Sequence, residues 1–166
     1  MTQIRQVLVH VNDSPRSREV VQLAAALAAA HGAAIAALHA VDPLAVGAYL
    51  SPEAASIAAE LAREAEQARR QRAIALVAGV AQVAGIELPL ERAEGDALGA
   101  LLRHARCTDL LVLGQHDPAQ PDGTASTLAP RLLMGAGCPL LFVPYAMGDG
   151  SAMPHCGERV LVAWSD

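Results

Sequence analysis

Between Leu111 and Thr127 the chain reads LVLGQHDPAQPDGTAST. An apolar run enters a glycine, crosses a polar loop and meets a helix start, an order in which backbone amides and a helix N-terminus can grip phosphate. This loop carries Asp117, Pro118 and Pro121 where a phosphate cradle wants glycine. Ser14 with His116 or Asp13 raises acyl transfer, but there is no G-x-S-x-G elbow and Ser14 is better placed to cap a helix. The six histidines show neither H-x-x-x-H nor H-E-x-x-H spacing, and Cys107, Cys138 and Cys156 form no C-x-x-C pair. They read as reduced thiols and structural or solvent-facing imidazoles, with no metal site. Cys138, just before Pro139, reads as core packing. No residue is assigned a catalytic role.

The elements around the loop follow from periodicity and punctuation. Ile4 to Val11 is a β-branched strand, after which Ser14 caps a helix and Pro15 occupies its first turn. Val20, Leu23, Leu27 and Ala30 keep helical spacing up to a left-handed cap at Gly32. Ala33 to Val41 is a second buried strand, ended by Asp42 and Pro43. A long helix is expected from Pro52 to Ala84, leaving through Gly85, with Glu66 and Arg70 at i,i+4 and a surface that reads as a solvated charged face, not a binding patch. Ile86 to Gly95 alternates like a strand, and Pro89 places it at a sheet edge. Asp96 opens a short helix with Leu98, Leu101 and Leu102 inward, and Asp109 to Gly114 is an apolar central strand. Leu128 to Gly137 is a fourth helix, with Pro130 expected in its N-terminal turn, and Cys138 to Tyr145 is the last strand.

This alternation predicts a Rossmann-like α/β fold: a doubly wound, five-stranded parallel sheet in the order 3-2-1-4-5, helices on both faces. Ligands of such sheets bind outside the carboxyl ends of the strands where the winding reverses, here between the first and fourth strands. Val11 to Asp13, Val41 and the loop after Gly114 would line that crevice.

Bulk composition narrows the function classes. The 166 residues suit one domain, and the 53% hydrophobic content is largely alanine, with Trp164, Phe142, Tyr49 and Tyr145 the only aromatics. Thin helices close to a sheet are expected, not an aromatic-lined pocket. A formal charge of -5 without a basic cluster disfavours nucleic acid. The start MTQIRQVLVHVND lacks the long apolar core of a secretory signal, and Leu23 to Ala30 falls short of the ~18 residues of a membrane span. A cytoplasmic protein is expected.

Five stretches in order, VLVHVNDSPRS, LHAVDP, EGDALGALLRHA, DLLVLGQH and GCPLLFVP, resemble the universal stress protein family over Ile4 to Pro144. Photolyase-like and electron-transfer-flavoprotein-like domains share the general fold but not these motifs. The resemblance implies a stress-response regulatory or protective module without catalysis and without a cofactor; the alternative is a member that binds ATP or AMP and hydrolyses ATP slowly. Nucleotide-binding members carry G-x-x-G, nine residues, then G-S or G-T in the loop after the fourth strand. Here Gly114 matches the first glycine, Asp117 stands at the second, and Ser126 stands at the third, one residue short, with Thr127 at the hydroxyl. Gly123 with Thr124 offers a shifted G-T. Asp13 and Val41 match positions near ribose and adenine in such relatives, and His116 a loop histidine common among them. Turn and strand-end chemistry also accounts for Asp13 and Val41. If nucleotide binds, Asp13, Val41, Gly114, His116, Ser126 and Thr127 are the candidate contacts. The resemblance further implies a homodimer, joined through the fifth strand, and protein partners.

The tail ERVLVAWSD, from Glu158, echoes RQVLVHVND, from Arg5, after a linker-like stretch at 146–157. It reads as the first strand of a second repeat, as in tandem members, following a domain at 1–145. The alternative is an extra pairing strand: an orphan apolar strand is an aggregation hazard, so Val160 to Trp164 is expected to pair with a sheet edge of its own or of a neighbouring copy.

Overall fold

A computed structural model describes residues 3–12, 14–42, 51–93, 96–116 and 125–145, with side chains from 128 onward in the last segment. Its strands are β1 (Gln6–Val11), β2 (Ala34–His39), β3 (Leu90–Arg92), β4 (Leu110–Gly114) and β5 (Leu140–Val143). The helices are α1 (Ser17–His31), α2 (Pro52–Ala84), α3 (Ala97–Ala105) and α4 (Ala125–Gly135). All strand pairings are parallel, and the order is β3-β2-β1-β4-β5, as the alternation predicts. The expected tail strand lies outside the described residues.

Strand alternation divides the core into two layers. Val7, Val9 and Val11 of β1 face α1 and α2, meeting Val21, Ala24, Val77 and Val80. Leu8, Leu38, Leu111 and Leu113 face α3 and α4, meeting Leu98, Leu101, Leu128 and Leu132. The central strands are apolar on both faces because both faces are covered. Asp109 fastens the start of β4 to the start of β1: its carboxylate accepts the amides of Arg5 at 2.8 Å and Gln6 at 2.9 Å.

Helix ends follow their punctuation in α2, at Gly32 closing α1 with φ 60° and at Asp96 opening α3, and depart from it at the starts of α1 and α4. Ser51 accepts the amide of Ala54 at 3.3 Å, Pro52 opens α2, and Gly85 closes it at φ 64°. Ser14 is not the cap of α1: its hydroxyl accepts the amide of Arg16, which itself holds the N-cap position. The chain needs one more turn before the helix, because Ser17 is buried with its hydroxyl 2.7 Å from both the carbonyl and side-chain oxygens of Asn12. α4 begins at Ala125, so Pro130 lies inside it rather than in its first turn. Packing of Leu128, Leu132 and Ala136 on the sheet holds this helix although residue 130 has no amide to donate to the carbonyl four residues back.

β3 is shorter than its alternating sequence, and it is an edge strand as Pro89 requires. Pro89 still contributes its carbonyl, which accepts the amide of Ala37 at 2.8 Å. Glu91 reaches His104 of α3 at 3.0 Å and Arg92 reaches Glu66 of α2 at 3.4 Å, tying the edge to both helix layers. These pairs are solvent-exposed, so each contributes up to about 1 kcal/mol. The outward surface of α2 is not simply charged: Ile57 and Leu61 are 61% and 60% exposed.

Candidate functional site

The carboxyl ends of β1, β2 and β4 lie side by side, with β1 in the middle. Val41, two residues beyond β2, and Gly114, the last residue of β4, therefore flank the end of β1. His116 follows Gly114 by two residues and is half-buried. Ser126 and Thr127 lie in the first turn of α4. Asp13, Asp117, the Gly123–Thr124 step and the side chains of Ser126 and Thr127 lie outside the described residues. The backbone order thus brings Val41, Gly114 and His116 to one end of the sheet.

Gly114 has a packing reason to be glycine. A Cβ placed there would lie 3.3 Å from Cγ2 of Val20 on α1, tighter than ordinary contact. Its φ is not positive, so no left-handed turn calls for it. Beside it, the amide of Gln115 donates to Val143 at 2.7 Å and continues the β4–β5 ladder past Gly114.

A carboxylate of the protein occupies another anion position nearby. Asp42, just after Val41, accepts the amide of Ala97 at 2.8 Å, while Asp96 accepts that of Gly99 at 2.7 Å. The first turn of α3 is thereby capped twice, and two negative charges complement its dipole. Sequence reasoning assigned Asp42 only to ending the second strand, since its partner lies 55 residues away. Asp42→Ala should cost about 1 kcal/mol of stability in urea denaturation, because the orphaned amide loses a charge-assisted bond. An unchanged midpoint would show that solvent satisfies this amide equally well.

Two buried histidines wall the same end of the sheet, and their types and spacing gave no signal of this. His10 Nε2 lies 2.7 Å from the carbonyl of Ala40, and His39 Nδ1 lies 3.1 Å from that of Val11. A carbonyl only accepts, so each of these nitrogens carries a proton. The register pairs Val11 with His39 and His10 with Leu38, so the two rings face opposite helix layers. His39 Nε2 is buried with no hydrogen-bond partner among the described residues.

Burial pushes the His10 imidazole below the ordinary histidine value of 6.5; the bond to Ala40 opposes this and nearby His39 reinforces it. A depressed folded-state pKa means that the unfolded chain takes up the proton first. The stabilisation is therefore present above pH 6.5 and is lost as the pH falls from there through the folded-state value. The slope for one proton is at most about 1.4 kcal/mol per pH unit. His10→Gln, which keeps a donor for Ala40, should flatten stability between neutral and mildly acidic pH. Parallel profiles for the two proteins would assign the pH dependence to other groups.

Cys107 and Cys138 are free thiols, and Cys138 packs against the α3/α4 layer, where burial pushes its thiol pKa up. That makes it a poor nucleophile at neutral pH. Among the described residues no three His, Cys, Asp or Glu side chains gather as metal ligands, and no helix is long and apolar enough to cross a membrane.

Comparison with known proteins agrees with this architecture. Among solved structures, the universal stress protein UspA from Lactobacillus plantarum is 24% identical, with a TM-score of 0.62 over 86% of this chain and 99% of its own. A universal stress protein family member from Burkholderia pseudomallei is 26% identical, with a TM-score of 0.59 over 87% of this chain and 98% of its own. A family protein from Arabidopsis thaliana, solved with AMP bound, is 16% identical, with a TM-score of 0.56 over 84% of this chain and 91% of its own. No curated protein matches the chain. The family model described as "Universal stress protein family" matches residues 3–144, which include every described strand and helix. The chain belongs to the universal stress protein family.

Proposed function

We propose that this domain is a non-catalytic regulatory or protective module of the stress response, working in the cytoplasm through self-association and protein partners. The observation that carries this reading is Gly114. It is the one glycine kept from the nucleotide-loop pattern, and the close approach of Val20 accounts for it without a ligand. With Asp117 and Ser126 at the other two glycine positions, the sequence between β4 and α4 lacks two of the three residues that let amides close on phosphate.

A second reading, a nucleotide-binding member with slow ATP hydrolysis, draws on a different observation. Val41 and Gly114 flank the end of β1, the arrangement that holds ligands in doubly wound sheets, and a fold relative carries AMP. In the wall beside Val41, His39 Nε2, which has no partner among the described residues, is a buried group that a donor could satisfy. Phosphate release from ATP separates the two. The non-catalytic reading expects release no faster than in buffer alone; saturable release by the wild-type protein, abolished by Gly114→Val, would overturn it. Dimerisation through β5, an edge strand with Leu140, Leu141 and Phe142 half-buried, is part of the same proposal.

A further inference from the structure

α2 is far longer than the layer it covers. Its 33 residues span about 50 Å, yet its buried side chains are Ala73, Val77 and Val80, all in the C-terminal half. Its partner α1 has 15 residues, about 22 Å. On the side away from Val77 and Val80, steps of four and three residues run from Ile57 through Leu61, Glu64, Ala68, Gln71 and Ala75 to Ala78, and every position is exposed. That spacing is a heptad seam, apolar at five of seven places. The alanines would let a second helix approach closely.

The charge along α2 says what fits the seam. Pro52 to Glu66 carries four glutamates and one arginine, net -3, whereas Gln67 to Ala84 carries Arg69, Arg70 and Arg72 with no acid, net +3. A parallel copy would set like charge on like. An antiparallel copy sets each acidic half against a basic half. We infer that the outward face of α2 docks against the same face of a second copy of this chain, the two helices antiparallel and crossing between Leu61 and Gln71. A seam about 32 Å long and about 10 Å wide buries on the order of 300 Å² per copy, well below the ~800 Å² of a standard interface, so the association is weak and salt-sensitive.

The inference is independent of nucleotide binding and of β5, and sedimentation velocity over a concentration series tests it. The wild-type chain should self-associate, less at high salt, and Ile57→Ser with Leu61→Ser should weaken association at least tenfold. One variant with Glu53, Glu60 and Glu64 changed to Arg makes both halves positive; another with Arg69, Arg70 and Arg72 changed to Glu makes both negative. Each alone should lose this association, and the mixture should recover it. Circular dichroism on each variant checks that the fold is kept, and the exposed Ile57 and Leu61 pair gives a test free of charge effects. A wild-type chain that stays monomeric at hundreds of micromolar would overturn the inference. So would association untouched by these variants, which would seat it on β5 or the 158–166 tail.

Discussion

Leu111→Ala should cost this domain 2–5 kcal/mol and lower its melting temperature by about 10 °C. Leu111 has no exposed surface, lies in the central β4 strand and packs into the layer of Leu98, Leu101 and Leu132. Its backbone is fixed on both sides, by pairing with Leu8 of β1 and Leu140 of β5, so the sheet cannot shift to fill the space. The loss therefore includes both the transfer of the missing carbons and a cavity that relaxes little. Val83→Ala on α2, where the side chain is 85% exposed, should change stability by no more than about 0.5 kcal/mol. Urea denaturation of the two variants beside the wild type checks the pair. A loss under 1 kcal/mol at Leu111 would mean that α3 and α4 can settle onto the sheet, contrary to the close packing described.

The second large effect concerns the loop. Asp117→Gly with Ser126→Gly should tighten ATP binding by on the order of tenfold to a hundredfold. Two causes act together. A carboxylate about 4 Å from a phosphate charge costs about 1 kcal/mol in water and about 4 near a protein surface, and each 1.4 kcal/mol is tenfold in affinity. Glycine, with no Cβ, also lets backbone amides approach a phosphate more closely. Because ATP carries more negative charge than AMP, the gain should be larger for ATP and absent for adenosine. Equal gains for all three would place the effect in the base pocket or in general loosening of the chain.

Much of the fold was legible because its signals are local. Pro52 and Gly85 bound α2 at the residues expected, and Asp96 caps α3 as its position before an apolar run implies. Pro89 marked an edge strand correctly because a missing donor is a property of one residue. The misses are tertiary. Ser14 is a sound cap by type, but Ser17 bonded to Asn12 delays α1. Pro130 is a poor interior residue by propensity, but burial of Leu132 outweighs one missing bond in α4. Ile86 to Gly95 alternates well beyond the three residues that pair, because β2 supplies partners only for Leu90 to Arg92.

The site was legible in part for the same reason. Strand order alone places Val41 and Gly114 around the end of β1, since both belong to elements with strong patterns. The roles of Asp42 and of the His10 and His39 pair depend on contacts between residues 28 to 55 positions apart, which no spacing rule reveals. The close contact of Val20 with Gly114 is likewise a fact of packing, and it changes the meaning of a glycine that the motif alone assigns to phosphate.

Calorimetric titration of the wild-type protein with ATP, and with AMP beside it, tests the central claim most directly. No saturable heat is expected for either ligand, leaving the loop after Gly114 as scaffold. Binding of ATP at tens of micromolar or tighter would contradict it, and would show that this loop holds phosphate without its glycines.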